Sequence, residues 1–253
     1  QNSTTYAAAA GKIEAQKWTH LAVVVTGGNM KMYKNGTEIS SSSYSLSLGN
    51  SDANLRVGLQ GSTYFTGYIN DFRVYKASAK YTSTFTLPVR SDFTVNNLTE
   101  TDGIVIVANA DSKPIFETTG DQGGAKKSPE AFNTDSSSSS LKLAVPGFGP
   151  GTDESADIIG SGSNKSPSVS GATEHTVTSR FYGTCMDFDG SNDQITYSSS
   201  NDWLFEEGDF TIEFWAYFDS ISTDGAIISN MTNFSDSGQY NSRWVIGLYS
   251  SEL

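Results

Sequence analysis

The carboxylate best placed for chemistry in this sequence is Glu213, which lies in the alternating segment Phe210–Phe218. Glycoside hydrolysis needs two carboxyl groups roughly 5 to 10 Å apart, one acting as the acid and the other as the base or nucleophile. Glu213 alternates with Thr211 and Trp215, and the segment holds no second carboxylate. We therefore expect Glu213 to be a structural hydrogen-bonding residue, and we expect the chain not to be an enzyme.

Other reactive side chains are scarce. His20 and His175 are the only histidines, and no serine or cysteine lies in a recognisable nucleophile motif. The single Cys185 allows neither an internal disulfide nor a thiolate zinc site. Gly160 and Gly162 lack the lysine and the strand-to-helix setting of a phosphate-binding loop. These residues predict no catalytic centre and no cofactor-binding loop.

The composition favours an extracellular all-β protein. Of the 253 residues, 36% are hydrophobic and 12% aromatic, which is enough for a sizeable core, whereas only 17% are charged. The formal net charge is −12, and no cluster of Lys and Arg is present to neutralise phosphates. We therefore expect no binding to nucleic acid or to an anionic membrane surface. No run of roughly 18 apolar residues occurs, so we expect no membrane insertion.

Strands and turns run along most of the chain. A hairpin is predicted over 17–39, because alternating residues lead into Asn35 and Gly36, which tolerate the positive φ of a tight turn. In Phe210–Phe218 the even-numbered residues are apolar and predict a core face, while the odd-numbered ones predict a partly covered or grooved face. We expect 122–140 to be an exposed connector and 146–170 a long loop with at most one short strand. Further strands are predicted at Ala53–Leu59, Gly67–Tyr75, Ile104–Val107, Pro114–Thr118 and Leu141–Val145.

Two sets of motifs resemble the two halves of one known domain. Three segments resemble the second half of a laminin-G-like, concanavalin A-like domain. They are residues 18–25 (WTHLAVVV), 30–37 (MKMYKNGT) and 67–75 (GYINDFRVY). Two later segments resemble the first half of that domain, residues 188–193 (FDGSND) and 208–218 (GDFTIEFWAYF). The halves therefore stand in reversed order. The resemblance implies an all-β fold, an antiparallel β-sandwich (jellyroll) split into two half-domains with a small β-hairpin module between them.

The reversed order predicts a repetitive organisation. We assign 1–88 to the second half of the jellyroll, 89–140 to the hairpin module and its connector, and 141–253 to the first half. Each half alone would leave an apolar sheet face and unpaired strand edges exposed. We therefore expect the halves not to close into one sandwich within a single copy unless the chain ends meet. Neighbouring copies of the repeat are the expected partners, through exchanged or continued strands.

The resemblance also implies calcium as a structural ligand. Related jellyrolls often hold a cation where an Asp-Gly loop meets an Asp of the last strand, and the matching residues here are Asp189, Gly190 and Asp71. Asn192 and Asp193 lie close enough in sequence to add oxygen ligands, which a hard cation requires. The alternative is that the Asp and Asn residues of this loop only favour a tight turn.

The function implied by the resemblance involves no chemistry. Within the family, residues 75–88 (YKASAKYTSTFTLP) are most similar to tail-fibre and other virion proteins of marine bacteriophages. We expect a structural and adhesive repeat of a virion appendage, extracellular or on the virion surface, in which repetition multiplies weak contacts. Cell-surface glycans are the expected ligands, stacked on Trp215 and Tyr217. The alternative is the repeat unit of a microbial extracellular filament or cell-surface adhesin.

Overall fold

The computed structural model describes residues 13–45, 48, 53–87, 104–108, 114–118, 137–159, 162–181, 183–222, 224–230 and 244–248. The helical elements of these residues are one short helix, α1 (Ser155–Ile159), and two 3-10 turns at Ser138–Ser140 and Asn201–Trp203. The strands in chain order are β1 (Trp18–Thr26), β2 (Asn29–Lys34), β3 (Thr37–Ser43), β4 (Leu55–Val57), β5 (Leu59–Gln60), β6 (Thr63–Tyr64), β7 (Thr66–Lys76), β8 (Ile104–Ala108), β9 (Pro114–Thr118), β10 (Leu141–Val145), β11 (Ser168–Ser170), β12 (Thr173–His175), β13 (Cys185–Asp189), β14 (Gln194–Tyr197), β15 (Phe210–Phe218), β16 (Gly225–Ser229) and β17 (Val245–Leu248).

Two antiparallel sheets carry the fold. The larger sheet has the strand order β12-β13-β7-β15-β1-β2-β3, and β10 also pairs with β7. The smaller sheet has the order β11-β14-β4-β16-β17. Buried side chains from both sheets, among them Leu55, Ile195 and Phe214, form one continuous core between them. The predicted antiparallel β-sandwich is therefore confirmed.

The two halves of the sequence close on each other within the same chain. Strand β15 lies between β1 and β7, with Leu21 opposite Phe214 and Val74 opposite Ile212. Val23 packs against the core cluster that contains Phe214. The described residues thus need no neighbouring copy to cover their core faces, because each half supplies strands to both sheets. Whether the chain ends meet concerns residues 1–12 and 249–253, which lie outside the described residues.

Local sequence patterns account for the central strands. In β15 the even-numbered side chains enter the core, and the odd-numbered ones lie on the opposite face, as the alternation predicted. The predicted turn lies between β2 and β3, where Asn35 and Gly36 have φ of 49° and 79°. Strand β7 matches the strand predicted at Gly67–Tyr75 and is one residue longer at each end.

The segment after residue 88 agrees in part with its prediction. Strands β8 and β9 pair from Ile104 opposite Thr118 to Ala108 opposite Pro114, so the hairpin is confirmed. Most of the predicted connector, residues 122–136, lies outside the described residues. Its last residues form a 3-10 turn that leads directly into β10, a local order that the serine run did not predict.

The predicted loop 146–170 contains β11 and also the unpredicted helix α1. The buried carboxylate of Asp153 accounts for this order. It accepts hydrogen bonds from the backbone N–H groups of Ala144 at 3.0 Å, Ser155 at 2.9 Å and Lys165 at 2.7 Å. One side chain therefore ties β10, the start of α1 and the following loop together, a long-range role that Asp in a loop does not reveal by its type alone.

Candidate functional site

The candidate site lies on the outer face of the larger sheet, the face turned away from the smaller sheet. Its side chains come from three adjacent central strands, β1, β15 and β7. The cross-strand register aligns them in four rows. From one end of the sheet to the other, the rows are Trp18, Tyr217 and Tyr68; His20, Trp215 and Asn70; Ala22, Glu213 and Arg73; and Val24, Thr211 and Tyr75.

Glu213 lies at the centre of a buried polar network. Its side chain is 2% exposed, and its Oε1 accepts hydrogen bonds from Lys80 Nζ at 2.7 Å and from the Tyr75 hydroxyl at 3.3 Å. Its Oε2 accepts a hydrogen bond from the Tyr81 hydroxyl at 2.6 Å and lies 3.3 Å from His20 Nε2. Both carboxylate oxygens are therefore occupied by side chains of the protein.

The electrostatics of this network keep Glu213 ionised. Burial raises the pKa of the Glu213 carboxyl, but the positive charge of Lys80, the contact with His20 and the charge of Arg73 outweigh burial and hold that pKa well below its usual range. A general acid of a glycosidase needs a raised pKa and access to the glycosidic oxygen. Glu213 has neither, and its geometry is that of the structural hydrogen-bonding residue predicted from sequence.

A covering segment, residues 77–87, seals the network from solvent. Lys80 N–H donates to Thr211 Oγ1 at 2.9 Å, and the Thr211 hydroxyl donates to Ser78 O at 3.1 Å. At its other end, Phe85 N–H donates to Gly36 O at 2.9 Å. Tyr81 and Phe85 stack with ring centroids 3.5 Å apart over the buried side chains below. This cover explains why a row of polar and charged side chains is buried on an outer sheet face.

Trp215 is also covered, so its predicted role as a glycan contact is wrong for this structure. Its side chain is 2% exposed. Phe181 meets the Trp215 ring edge-on with centroids 5.5 Å apart, and the Arg180 guanidinium carbon lies 4.4 Å from that ring. Asn70 holds this cover in place, because its Oδ1 accepts a hydrogen bond from Phe181 N–H at 2.7 Å. A sugar ring has no face of Trp215 on which to stack.

Tyr217 belongs instead to a partly exposed aromatic row. This row consists of Trp18, Tyr217, Tyr68 and His175, all of them half-buried. The ring centroids of Trp18 and Tyr217 are 5.7 Å apart, those of Tyr217 and Tyr68 are 5.5 Å apart, and those of Tyr68 and His175 are 4.6 Å apart. The members of this row therefore come from four strands, β1, β15, β7 and β12, at one end of the outer face, and β13 lies between β7 and β12.

Carboxylates border the aromatic row at the end formed by Tyr68 and His175. Asp187 Oδ2 lies 3.5 Å from His175 Nδ1. Burial raises the pKa of the Tyr68 phenol, and the negative charges of Asp187 and Asp219 raise it further. Burial also raises the pKa of Asp187. The contact with His175 lowers that pKa, whereas the negative charges of Asp219 and Asp189 raise it. The row thus combines aromatic rings with neighbouring carboxylates.

Sequence reasoning missed three of the four residues of the aromatic row. Trp18 and Tyr68 lie at outward positions of strands that were predicted, so the strand alternation contained a signal for both. Their alignment with Tyr217 depends on the register of three strands, which the sequence does not specify. His175 joins them only because β12 pairs with β13, with His175 opposite Cys185.

The predicted cation ligands fall into two separate places. Asp189 lies opposite Thr66 in the pairing of β13 with β7, whereas Asp71 lies five residues further along β7. Asp71 occupies a bulge with φ of 54°, and its Oδ1 accepts hydrogen bonds from Arg73 Nη2 at 2.7 Å and Nε at 3.0 Å. Asp71 is therefore part of a buried ion pair, and its predicted place in one site with Asp189 is wrong.

The remaining predicted ligands, Asp189, Gly190, Asn192 and Asp193, form a tight turn. Asp189 Oδ1 accepts a hydrogen bond from Ser191 N–H at 2.6 Å, and Asp193 Oδ2 accepts one from Asp189 N–H. Gly190 and Asn192 have φ of 86° and 67°. Among the described residues, no three His, Cys, Asp or Glu side chains are grouped so that they could hold a metal ion. Calcium binding by this turn stays a prediction.

The comparisons with known proteins agree with the observed sandwich. Residues 1–80 match a family model described as the concanavalin A-like lectin/glucanases superfamily. These residues are similar to that superfamily. The match covers β1 to β7, whose outward side chains include Trp18 and Tyr68, and it supports a carbohydrate-binding or adhesive kind of module. The searches of curated proteins and of solved structures returned no match. No helix within the described ranges is long and apolar enough to cross a membrane.

Proposed function

We propose that this chain is a non-enzymatic structural and adhesive repeat of a virion appendage, such as a tail fibre, and that it binds cell-surface glycans. The observation that carries the proposal is the burial of Glu213 and its pairing with Lys80. This carboxylate occupies the centre of the outer face but is sealed under the covering segment 77–87 and paired with Lys80. Among the described residues, the face therefore offers aromatic contacts at one end and no accessible acid at its centre.

The absence of an accessible acid at the centre of the face argues against glycan hydrolysis. Cleavage of a glycosidic bond requires a protonated carboxyl next to the leaving oxygen and a second carboxylate at a defined separation. The pKa of Glu213 is held well below its usual range by Lys80, His20 and Arg73 despite burial, and its oxygens are occupied by Lys80, Tyr75 and Tyr81. Opening the site for a sugar would break these bonds and leave a buried charge without partners, which is strongly unfavourable.

The rigidity of the outer face supports the adhesive role. The outer face rests on β1, β15 and β7, each of which is paired along both edges, so the aromatic side chains are held on a stiff platform. A single shallow site of this kind binds weakly, and many linked copies convert weak sites into strong attachment through effective concentration. In the appendage, we propose that neighbouring copies are joined through exchange of the same strand pairs that β15 forms with β1 and β7.

The virion setting is supported by the covering segment. The proposed resemblance to tail-fibre and other virion proteins rests on residues 75–88. The described part of this stretch includes Lys80, Tyr81 and Phe85, which build the cover over Glu213. The segment thus supplies internal stability to a module without disulfides. Stability of that kind suits an appendage exposed outside the cell.

A glycan array with two display formats tests the adhesive role. We expect the purified chain to bind weakly as a single copy and much more strongly when many copies are coupled to one particle, with no release of reducing sugar from any bound glycan. Glu213→Gln should leave glycan binding unchanged, since this residue does not reach the surface. Release of reducing sugar that Glu213→Gln abolishes would overturn the non-enzymatic role.

Immunogold electron microscopy with antibodies against the chain tests the setting. Labelling of fibres on virus particles is the expected result. Labelling of filaments on microbial cells would overturn the virion setting and support a cellular adhesin with the same fold.

A further inference from the structure

We propose that the aromatic row Trp18, Tyr217, Tyr68 and His175 is the glycan-contact site, and that it takes sugars with free amino groups in preference to neutral and acidic ones. This inference rests on the proposed function and gives it a site and a ligand class. It replaces Trp215 by Trp18, Tyr68 and His175 as the aromatic partners of Tyr217.

The aromatic row is partly exposed, whereas the neighbouring rows of the outer face are covered. The Glu213 and Thr211 rows lie under residues 77–87, and Trp215 lies under Phe181 and Arg180. The next row towards the end of the sheet is the aromatic row, whose members are half-buried. A partly exposed row of aromatic rings with polar tips suits a sugar ring, because the apolar face of the sugar contacts the rings and its hydroxyl groups reach the polar tips.

The strand register holds the rings of the row in place before a ligand binds. Trp18 and Tyr217 lie directly opposite each other in the register of β1 and β15, and Tyr217 lies opposite Tyr68 in that of β15 and β7. Neighbouring rings meet at interplanar angles of 61° and 59°, so their edges support each other. Little side-chain entropy is then lost on binding, which favours affinity even at a shallow site.

The carboxylates beside the row bear on the charge of the ligand that it prefers. Asp187 lies against His175, and Asp187 and Asp219 both act on Tyr68. The whole chain has a net charge of −12, so no distant surplus of positive charge offsets these carboxylates. An ammonium group is attracted both by carboxylates and by the faces of Trp and Tyr rings, whereas a sugar carboxylate is repelled by the same groups. The row therefore favours amino sugars over uronic or sialic acids.

Calorimetric titration with three defined oligosaccharides tests the site and its ligand class. The probes are a tetramer of glucosamine, a neutral glucose tetramer and a tetramer of galacturonic acid, at low and at physiological ionic strength. We expect affinity to fall in that order, and we expect added salt to weaken the binding of the glucosamine tetramer most.

Three substitutions separate the contribution of the aromatic rings to glycan binding from that of the Asp187 carboxylate. Tyr68→Ala and Tyr217→Ala should each weaken both glucosamine and glucose tetramers by about tenfold, the equivalent of about 1.4 kcal/mol. Asp187→Asn, which keeps the side-chain shape, should weaken only the glucosamine tetramer. Tyr64→Ala is the matched control, because Tyr64 is a half-buried tyrosine on β6, outside the row. Circular dichroism of each variant confirms that it folds.

The outcomes separate the site from the function. Wild-type binding that Tyr68→Ala and Tyr217→Ala leave unchanged overturns the site and leaves the adhesive role standing. Equal affinity for the glucosamine and galacturonic acid tetramers overturns the ligand class. No binding of any glycan, on the array or in the titrations, overturns the proposed glycan-binding function together with this inference.

Discussion

Lys80 Nζ lies 2.7 Å from Glu213 Oε1, and the two residues are 133 positions apart in the chain. The pair joins the covering segment 77–87, in the first half of the sequence, to the central strand β15, in the second half. It therefore stabilises the contact between the halves as well as the cover over the outer face.

Loss of Lys80 should destabilise the protein far more than loss of a surface lysine. We expect Lys80→Met to lower the free energy of unfolding by about 3 kcal/mol, because a buried carboxylate loses its nearest positive charge. Lys17→Met is the control, since Lys17 and its partner Glu14 have side chains that are 66% and 58% exposed. Chemical denaturation measures both, and equal stabilities of the two variants would contradict the prediction.

The depressed pKa of Glu213 predicts a specific pH dependence. The folded-state pKa lies below the unfolded value of 4.5, so the stability contributed by ionised Glu213 is present above pH 4.5 and is lost as the pH falls towards the folded-state pKa. Glu213→Gln removes this titration. We expect the free energy of unfolding of the wild type to fall more steeply below pH 4.5 than that of Glu213→Gln.

Denaturant titrations at several pH values between 3 and 7 measure the difference. The pKa of Asp193, which burial raises, works in the opposite direction, but it is common to both proteins and drops out of their comparison. Parallel pH profiles would show that Glu213 is not held ionised.

Gly36 is required by the covering segment as well as by its turn. A Cβ at Gly36, where φ is 79°, would lie 2.1 Å from Phe85 O. We expect Gly36→Ala to destabilise the protein by roughly 2 to 3 kcal/mol, from backbone strain plus displacement of the segment. Gly27 is the matched control, because its φ is 55° but nothing lies within 4 Å of the added Cβ. Equal Tm values for Gly27→Ala and Gly36→Ala in thermal melts would show that the contact with Phe85 is unimportant.

The calcium hypothesis predicts a stability change that the turn at Asp189 controls. A ligand bound only by the folded state adds about 2.7 kcal/mol at a hundred times its Kd, so a chelator should lower Tm. Asp189→Asn should abolish the difference in Tm between calcium and chelator. Asp71→Asn should keep it, because Asp71 is paired with Arg73. A Tm indifferent to chelator would remove the hypothesis.

Much of the sandwich could be predicted because its signals are local. The alternation of Phe210–Phe218 and the Asn35-Gly36 turn each depend on a few adjacent residues, and both were found where expected. Helix α1 was missed because Asp153 organises it through hydrogen bonds to segments on either side, and no local pattern announces such a contact. The candidate site was predicted least well, because the exposure of Trp215 depends on Phe181 and Asn70 from other parts of the chain.

The sequence by itself determined the strand patterns, the resemblance to a concanavalin A-like domain and the outward position of Glu213, Trp215 and Tyr217. Only the tertiary structure decided which of the three is accessible. Segment 77–87 buries Glu213, Phe181 covers Trp215, and Tyr217 remains half-exposed beside Trp18 and Tyr68. The physical reason is the distance along the chain over which each property is determined. The face on which a strand residue lies follows from a period of two along the chain, whereas its cover depends on segments that are distant in sequence and are brought together only by strand register and packing.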